Sequence, residues 1–244
     1  MAIEFPNKSA LSFGTTPTTV SIQTSRTWMA WIKITAQQEL NFYHTIFVAE
    51  DVPGGWGAWS FLYFSNNSSP PTTYLDLTRD YTVQGVWRGT ANLTIGTWYH
   101  VAVTYSEGVS NDPVIYLNGS PVSVTEIVTP LGTVEDDSDS LLYVGGWGTG
   151  DKQSRIIIAE ARIYPFIASA DDIATIYASR CMGVHPAAGL PVFAPTLYGA
   201  AGLAHPDGMT LAAGNIIRDP MSGAECVPAG SPILRAETVL SICP

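Results

Sequence analysis

The residues able to do chemistry fall into four groups. The first is His100 in "TWYHVAVTY", residues 97–105. As a catalyst it would need a nucleophile or a positioned carboxylate beside it, and no recognisable one accompanies it. On a strand, Trp98, His100, Ala102 and Thr104 share one face, and Tyr99, Val101, Val103 and Tyr105 share the other. Neither face is polar. This is expected to be a central strand covered on both sides, with a half-buried histidine bonded to a backbone carbonyl.

The second group is the acidic run "EDDSDS", residues 135–140, with Glu135, Asp136, Asp137 and Asp139. These are the hard oxygen donors that calcium prefers, and Glu50 and Asp51 in "AEDVPGG" add two more. Calcium needs several donors converging, so a solvated acidic loop stands beside the calcium reading. The third group is aromatic. Trp56, Trp87 and Trp147 are each flanked by glycine, which places them in loops or at strand ends. A ring exposed there would stack on a pyranose face while Asp51, Arg88 or Asn111 bonds its hydroxyls. Trp28, Trp31, Trp59 and Trp98 lie within strands and are expected in the core.

The fourth group is the isolated carboxylates. Hydrolysis of a glycosidic bond uses two facing carboxyl groups. Asp76 has only Asp80 as a same-face partner, and Glu160 stands alone. There is no Gly-x-Ser-x-Gly, His-Glu-x-x-His or phosphate-cradling glycine loop. The chemistry present is that of a non-enzymatic protein.

The elements that must hold these residues read as β-structure. Of 244 residues only 13% are charged, and seven Trp and eleven Tyr accompany many Gly, Pro, Ser and Thr. That is the composition of an all-β protein rich in turns. The net charge of −10 opposes nucleic-acid binding, which requires a basic stripe, and opposes an anionic membrane surface. No segment approaches the roughly 20 apolar residues of a membrane span. The N-terminus "MAIEFPNKSALSFG" lacks the basic region and apolar run of a secretory signal.

Candidate strands include "ALSFG", "TVSIQT", "WMAWIKIT", "HTIFVAE", "WSFLYFS", "TYLDLTRD", "GVWRGT", "TWYHVAVTYS", "LLYVGG" and "IIIAEARIY", bounded by turn residues as an antiparallel sandwich requires. In "VIYLNGSPV", Asn118-Gly119 supplies a type I′ turn, so Val114 to Leu117 should pair back with residues 120–125. "ASADDIATIYASR", residues 168–180, predicts a short helix. Ser169 caps it, Asp171 and Asp172 sit in the first turn, and Ile173, Ile176 and Tyr177 form its apolar stripe.

Residues 181–244 are Ala-, Gly- and Pro-rich with few charges. Proline recurs too often for a regular helix or central strand, which predicts an irregular arm lying against its own sandwich or a neighbour. "NIIRDP" and "ILRAETVLSI" would each suit addition to a neighbour's sheet edge. Cys181, Cys226 and Cys243 all fall in this arm without metal-site spacing, and reduced buried thiols are expected.

The order of these pieces resembles the laminin-G-like, concanavalin A-like jelly-roll family. The landmarks are Trp-x-x-Trp-Ile at Trp28 to Ile32, Trp-x-His-Val-Ala-Val-Thr-Tyr at Trp98 to Tyr105, and Tyr-x-Asn-Gly at Tyr116 to Gly119. "LLYVGG", "IAEARIY" and the helix "ASADDIATIY" follow. The resemblance covers about residues 5–180 and stops before the arm. It departs at Ala159, where family members often carry an acidic residue, while Glu160 and Arg162 remain.

The resemblance implies an all-β antiparallel sandwich of the jelly-roll kind over residues 1–180, with one short helix, followed by the arm at 181–244. Glucanases of that superfamily carry Glu-x-Asp-x-x-Glu on one strand, and no such triplet occurs here. The function it implies, taken with the arm, is structural or assembly: a virion or phage surface protein, such as a capsid decoration protein. It would dock through its arm by self-association or on a capsid or surface scaffold, at the virion surface or in an extracellular setting. The alternative is a carbohydrate-binding lectin module using the loop tryptophans.

Overall fold

The computed structural model describes residues 2–5, 10–15, 24–36, 43–50, 59–65, 73–146, 155–179, 217–218, 225–229 and 233–235. In chain order the first strands are β1 (Ala2–Phe5), β2 (Ala10–Thr15), β3 (Ser25–Ile34), β4 (Tyr43–Glu50), β5 (Trp59–Ser65) and β6 (Thr73–Arg79). Then come β7 (Tyr81–Val83), β8 (Gly85–Thr90), β9 (Trp98–Ser106), β10 (Val114–Leu117), β11 (Ser120–Pro121) and β12 (Val124–Val128). The chain continues with β13 (Leu131–Val134), β14 (Leu141–Val144), β15 (Ile156–Tyr164) and the helix α1 (Ala170–Ser179). Strands β16 (Ile217–Arg218), β17 (Glu225–Ala229) and β18 (Ile233–Arg235) follow.

These strands form two large antiparallel sheets. One has seven strands in the order β11-β10-β9-β3-β15-β1-β18, and the other nine in the order β12-β8-β6-β5-β4-β14-β2-β17-β16. A two-stranded ribbon, β13-β7, continues the edge of the larger sheet. Side chains alternate across each strand, and one face of each sheet packs on the other. Trp28, Ala30, Ile32 and Ile34 from β3 meet Trp59 and Phe61 from β5, Leu75 and Leu77 from β6, and Trp87 from β8. Burying each of these rings and aliphatic chains contributes about 1.5–3 kcal/mol. The jelly-roll sandwich read from the sequence is the observed fold.

His100 belongs to β9, which lies between β10 and β3, so the central, doubly covered strand is observed. After β10, Asn118 and Gly119 take φ of 51° and 79°, the left-handed pair that a type I′ turn needs. The return strand is shorter than expected. Ser120 and Pro121 form the ladder with β10, and the Val122 N–H adds one further bond to the Ile115 carbonyl at 2.9 Å. Val124–Val128 then crosses to the other sheet and pairs with β8.

Helix α1 covers the outer face of the seven-stranded sheet. Its cap is reciprocal: the Asp172 N–H donates to Ser169 Oγ at 3.1 Å, and Ser169 Oγ–H donates to the Asp172 carboxylate at 2.7 Å. Ile173 and Ile176 are buried against Met29, Ala102, Tyr116 and Tyr164. Thr27 ties the incoming chain down, donating to the Phe166 carbonyl at 2.7 Å and accepting from the Ala168 N–H at 2.9 Å. Among the described residues no helix is long and apolar enough to cross a membrane.

The arm is more regular than expected. Strand β18 adds to β1 at one end of the smaller sheet, and β17 adds to β2 in the larger one. Both pairings are made within the chain. Strands β16 and β18 fall in "NIIRDP" and "ILRAETVLSI", the segments suited to edge addition, but they pair within the chain rather than on a neighbour. Strand β17 carries no such signal, because main-chain pairing asks little of side-chain pattern. Cys226 lies in β17; Cys181 and Cys243 fall outside the described residues, as does "TVSIQT" except its last residue.

Candidate ligand-binding face

The register of β5, β6 and β8 builds a polar group on the face of the larger sheet that points away from the core. Leu75 and Leu77 face inward, so Asp76 and Thr78, which alternate with them, face outward. Asp76 stands opposite Arg88, which alternates with the inward Trp87. The pair is bidentate: Arg88 Nε donates to Asp76 Oδ1 at 2.9 Å, and Arg88 Nη2 donates to Oδ2 at 2.6 Å. Such a fork fixes a guanidinium in one plane. That plane lies over the Tyr74 ring, 4.9 Å from its centroid.

Asp76 is buried, while Arg88 and Tyr74 are half-buried. Burial pushes the Asp76 carboxyl above the usual range, and the Arg88 hydrogen bonds pull it back down. One position along, Ser60 and Thr78 share a hydroxyl hydrogen bond across β5 and β6. Thr73 Oγ1 donates to the Ala91 carbonyl and accepts from the Leu93 N–H, closing the sheet end beside Tyr74. The result is a fixed guanidinium on an aromatic ring, backed by a carboxylate and flanked by hydroxyls.

Of the described residues expected to bind sugar, Trp87, Arg88 and Asn111, Arg88 alone is placed in this group. Trp87 is fully buried. Its Nε1–H donates to Asp112 Oδ1 at 2.8 Å, and its ring lies 5.0 Å from that of Tyr105. Gly85 and Gly89 share its inward face, and a Cβ on Gly85 would strike the indole. Gly85 thus makes room for a core ring, Gly89 for Val122 and Ile115, and neither marks a loop. Because Trp87 and Arg88 are consecutive on a strand, they serve opposite faces. Asn111 is exposed and donates to the carbonyls of Ser106 and Glu107 at 3.1 and 3.3 Å, holding the turn after β9. Asp51, Trp56 and Trp147 lie outside the described residues. Trp98, expected in the core, is half-buried with Lys33 Nζ 5.4 Å from its ring.

The acidic run divides. Asp137 turns inward, accepting from Trp59 Nε1 at 2.7 Å and pairing with Arg26 Nη2 at 3.0 Å. Glu107 pairs with Arg26 at 3.5 Å and with Arg79 at 2.8 Å, so two carboxylates and two guanidiniums form one cluster between the sheets. Arg26 lies 5.9 Å from the rings of both Trp28 and Trp59. Glu135, Asp136 and Asp139 stay exposed. Asp136 accepts from the Ser138 N–H at 2.9 Å, and the Glu135 carbonyl accepts from Arg79 at 2.9 Å. Among the described residues no group of three or more His, Cys, Asp or Glu side chains is placed to hold a metal ion. Glu50 ends β4 as a buried residue rather than opening a loop.

His100 is more deeply placed than expected, at 1% exposure. Its ring lies 5.3 Å from Trp31 and 6.3 Å from Tyr177. Burial, then the Arg162 charge, pull its pKa down to about 3, so it is neutral, and Nδ1 has no hydrogen-bond partner. Its backbone carries the structural role. The His100 N–H donates to Asn118 Oδ1 at 3.0 Å, and its carbonyl accepts from the Asn118 N–H at 2.8 Å. Nearby, a bulge in β15 puts Glu160 at φ 52°, a left-handed position costing about 1–3 kcal/mol. The Glu160 carboxylate accepts from Arg162 at 2.8 Å.

A crystal structure of a native heptameric SAP-like pentraxin from Limulus polyphemus is similar at 16% identity and a TM-score of 0.53, covering 76% of this chain and 87% of that one. A Trypanosoma rangeli sialidase, solved with 2,3-difluorosialic acid, gives 16% identity and a TM-score of 0.47 over 65% of this chain and 23% of the sialidase. A botulinum neurotoxin type C structure, from work on its interaction with two ganglioside molecules, gives 17% and 0.46 over 65% of this chain and 36% of that one. At these identities the pentraxin likeness shows the fold. No curated protein matches by sequence. A laminin G-type family model, described as the concanavalin A-like lectin/glucanases superfamily, matches residues 7–174. With its sandwich, register and landmarks on that span, the chain belongs to the concanavalin A-like lectin/glucanases superfamily.

Proposed function

We propose that the chain is a non-enzymatic, carbohydrate-binding module whose ligand meets the outer face of the larger sheet at Arg88 and Tyr74. The observation that carries this is the guanidinium–aromatic pair, locked by Asp76 and half-open to solvent. A neutral sugar ring asks for that combination: a flat surface for its C–H groups and fixed polar groups for its hydroxyls. The non-enzymatic part is supported by the use made of the carboxylates. Asp76, Glu107, Asp137 and Glu160 are each salt-bridged to arginine, which spends them on positioning rather than on proton transfer.

A glycan array with the wild-type chain and the Arg88→Ala and Tyr74→Ala variants tests this. Loss of the same glycan signals in both variants supports the site. Signals that survive both changes would place binding elsewhere, and an array blank for the wild type would sink the class.

A second reading is a surface or decoration protein of a virus or phage particle, docking through residues 181–244. The observation favouring it is that β17 and β18 complete the two large sheets by short edge pairings, the kind of element that copies exchange at low cost. Deletion of residues 181–244 with solution mass measured before and after tests it. An unchanged, stable monomer would remove this reading.

A further inference from the structure

The described residues expose nine large apolar side chains, and five of them gather at one edge. They are Val83 on β7, Ile127 and Val128 on β12, and Leu131 and Val134 on β13, with exposures from 37% to 56%. Residues 81–90 and 124–134 run as one antiparallel ribbon, because β8 pairs with β12 and β7 with β13. Val83 and Leu131 are direct partners across it. Among the described residues, β12 ends the larger sheet and β13 pairs with β7 alone, so this ribbon's outer strand is an open edge.

Proteins protect such edges with bulges, proline and, above all, lysine. Here the ladder is broken between Glu126 and Val128 and again between Leu131 and Val134, and Pro130 lies between the two breaks. Lysine is missing altogether. Residues 89–151 contain no lysine or arginine, but eight Asp and Glu. Glu126, Glu135, Asp136 and Asp139 are exposed on or beside the ribbon.

From this we infer that the β12–β13 edge is a docking surface for another protein, presenting an extended segment in which aliphatic residues alternate with lysine or arginine. The apolar side chains supply contact area that water does not favour. The acidic rim selects the charge of the partner and opposes a second copy of this chain, whose matching edge and net charge of −10 would repel it. The same rim opposes an anionic membrane. The two bulges confine strand-to-strand pairing to short runs, so recognition falls on side chains.

The test uses the full chain and fluorescent peptides of alternating valine and lysine, valine and glutamate, or serine and lysine, read by anisotropy. The valine–lysine peptide is expected to bind at least about tenfold tighter than the other two. Leu131→Lys and Ile127→Lys, both at exposed positions, should each weaken it by about tenfold with the melting temperature held. Equal binding of the serine–lysine peptide would reduce the surface to general electrostatics and overturn the inference. Binding untouched by either substitution would place the contact elsewhere. Sedimentation supplies the last arm: a dimer dissociated by Leu131→Lys would make a second copy the occupant, against the charge argument.

Discussion

Two groups of arginines and carboxylates, built from the same chemistry, sit in opposite settings. Arg26, Arg79, Glu107 and Asp137 lie between the sheets, where the Arg26 and Asp137 side chains are each 2% exposed. Arg88 and Asp76 lie on the far side of the larger sheet, with the Arg88 side chain 24% exposed. The inner group is closed around Arg26 and Asp137, since Trp59 donates to Asp137 and the rings of Trp28 and Trp59 flank Arg26; only Glu107, half-buried, reaches the rim. The outer group is fixed from below and reachable from above. The comparison teaches that a buried charge is held by how completely its partners surround it, whereas a charge meant for a ligand is held on one side.

The largest effect breaks the inner group. Asp137→Ala takes a carboxylate from Arg26 and an acceptor from Trp59, leaving buried donors short of partners. Breaking a buried pair in this way costs about 3–5 kcal/mol, to be read as a fall in the urea midpoint. A loss under about 1 kcal/mol, the range of exposed pairs, would place Asp137 in solvent and erase the contrast between the groups.

Protons sharpen the comparison next. His44 and His100 are both buried, and burial first, then a nearby arginine, pull each pKa down to about 3 from a usual 6.5. Below pH 6.5 the unfolded chain takes up protons that the folded chain refuses, so stability falls as pH falls. The loss is about 1.4 kcal/mol per pH unit for each histidine, or about 2 kcal/mol each at pH 5. Asp76 and Asp137 work in the opposite sense, since burial raises their carboxyls and protonation then favours the folded state. The histidine share is therefore read as the difference between the wild type and His100→Gln. The variant should lose about 2 kcal/mol less between pH 7 and pH 5; parallel curves would mean that His100 is not held neutral.

Which of these features the sequence announces follows from the distance over which each is encoded. The Asn118-Gly119 turn, the Ser169 cap and the β9 strand depend on neighbours within a few residues, and all three are legible. The Asp76–Arg88 pair spans 12 residues and becomes visible only once β6 and β8 are set in register. Along its own strand Asp76 shares a face only with Asp80, and Asp80 accepts from Gln84 at 2.7 Å. Asp137 was hidden more thoroughly, since its partners Arg26 and Trp59 come from distant strands and its own neighbours are exposed acids. Trp87 and Trp98 exchange places for a readable reason. A tryptophan with a glycine two residues before it on one strand, as Gly85 stands to Trp87, has been given room on its own face, which is a core signal. A tryptophan opening a strand, as Trp98 does, stands at the rim.

The smallest expected change in stability belongs to Arg88, and it decides what the outer group is for. Arg88→Ala leaves the buried Asp76 carboxylate without its donor, but the carboxyl, already raised by burial, can take up a proton, so the cost is about 1–3 kcal/mol, below that of Asp137→Ala. Asp76→Asn keeps the shape but leaves the guanidinium without a charged anchor, so its plane over Tyr74 loosens. If the outer group serves a ligand, both variants keep their fold and lose glycan binding by about tenfold or more, the scale of a centrally placed polar contact. If it serves only the sheet, Asp76→Asn and Arg88→Ala cost stability in the way Asp137→Ala does, and binding measured on the remaining folded protein is unchanged. The ratio of binding lost to stability lost thus separates a charge kept for a ligand from a charge kept for the fold.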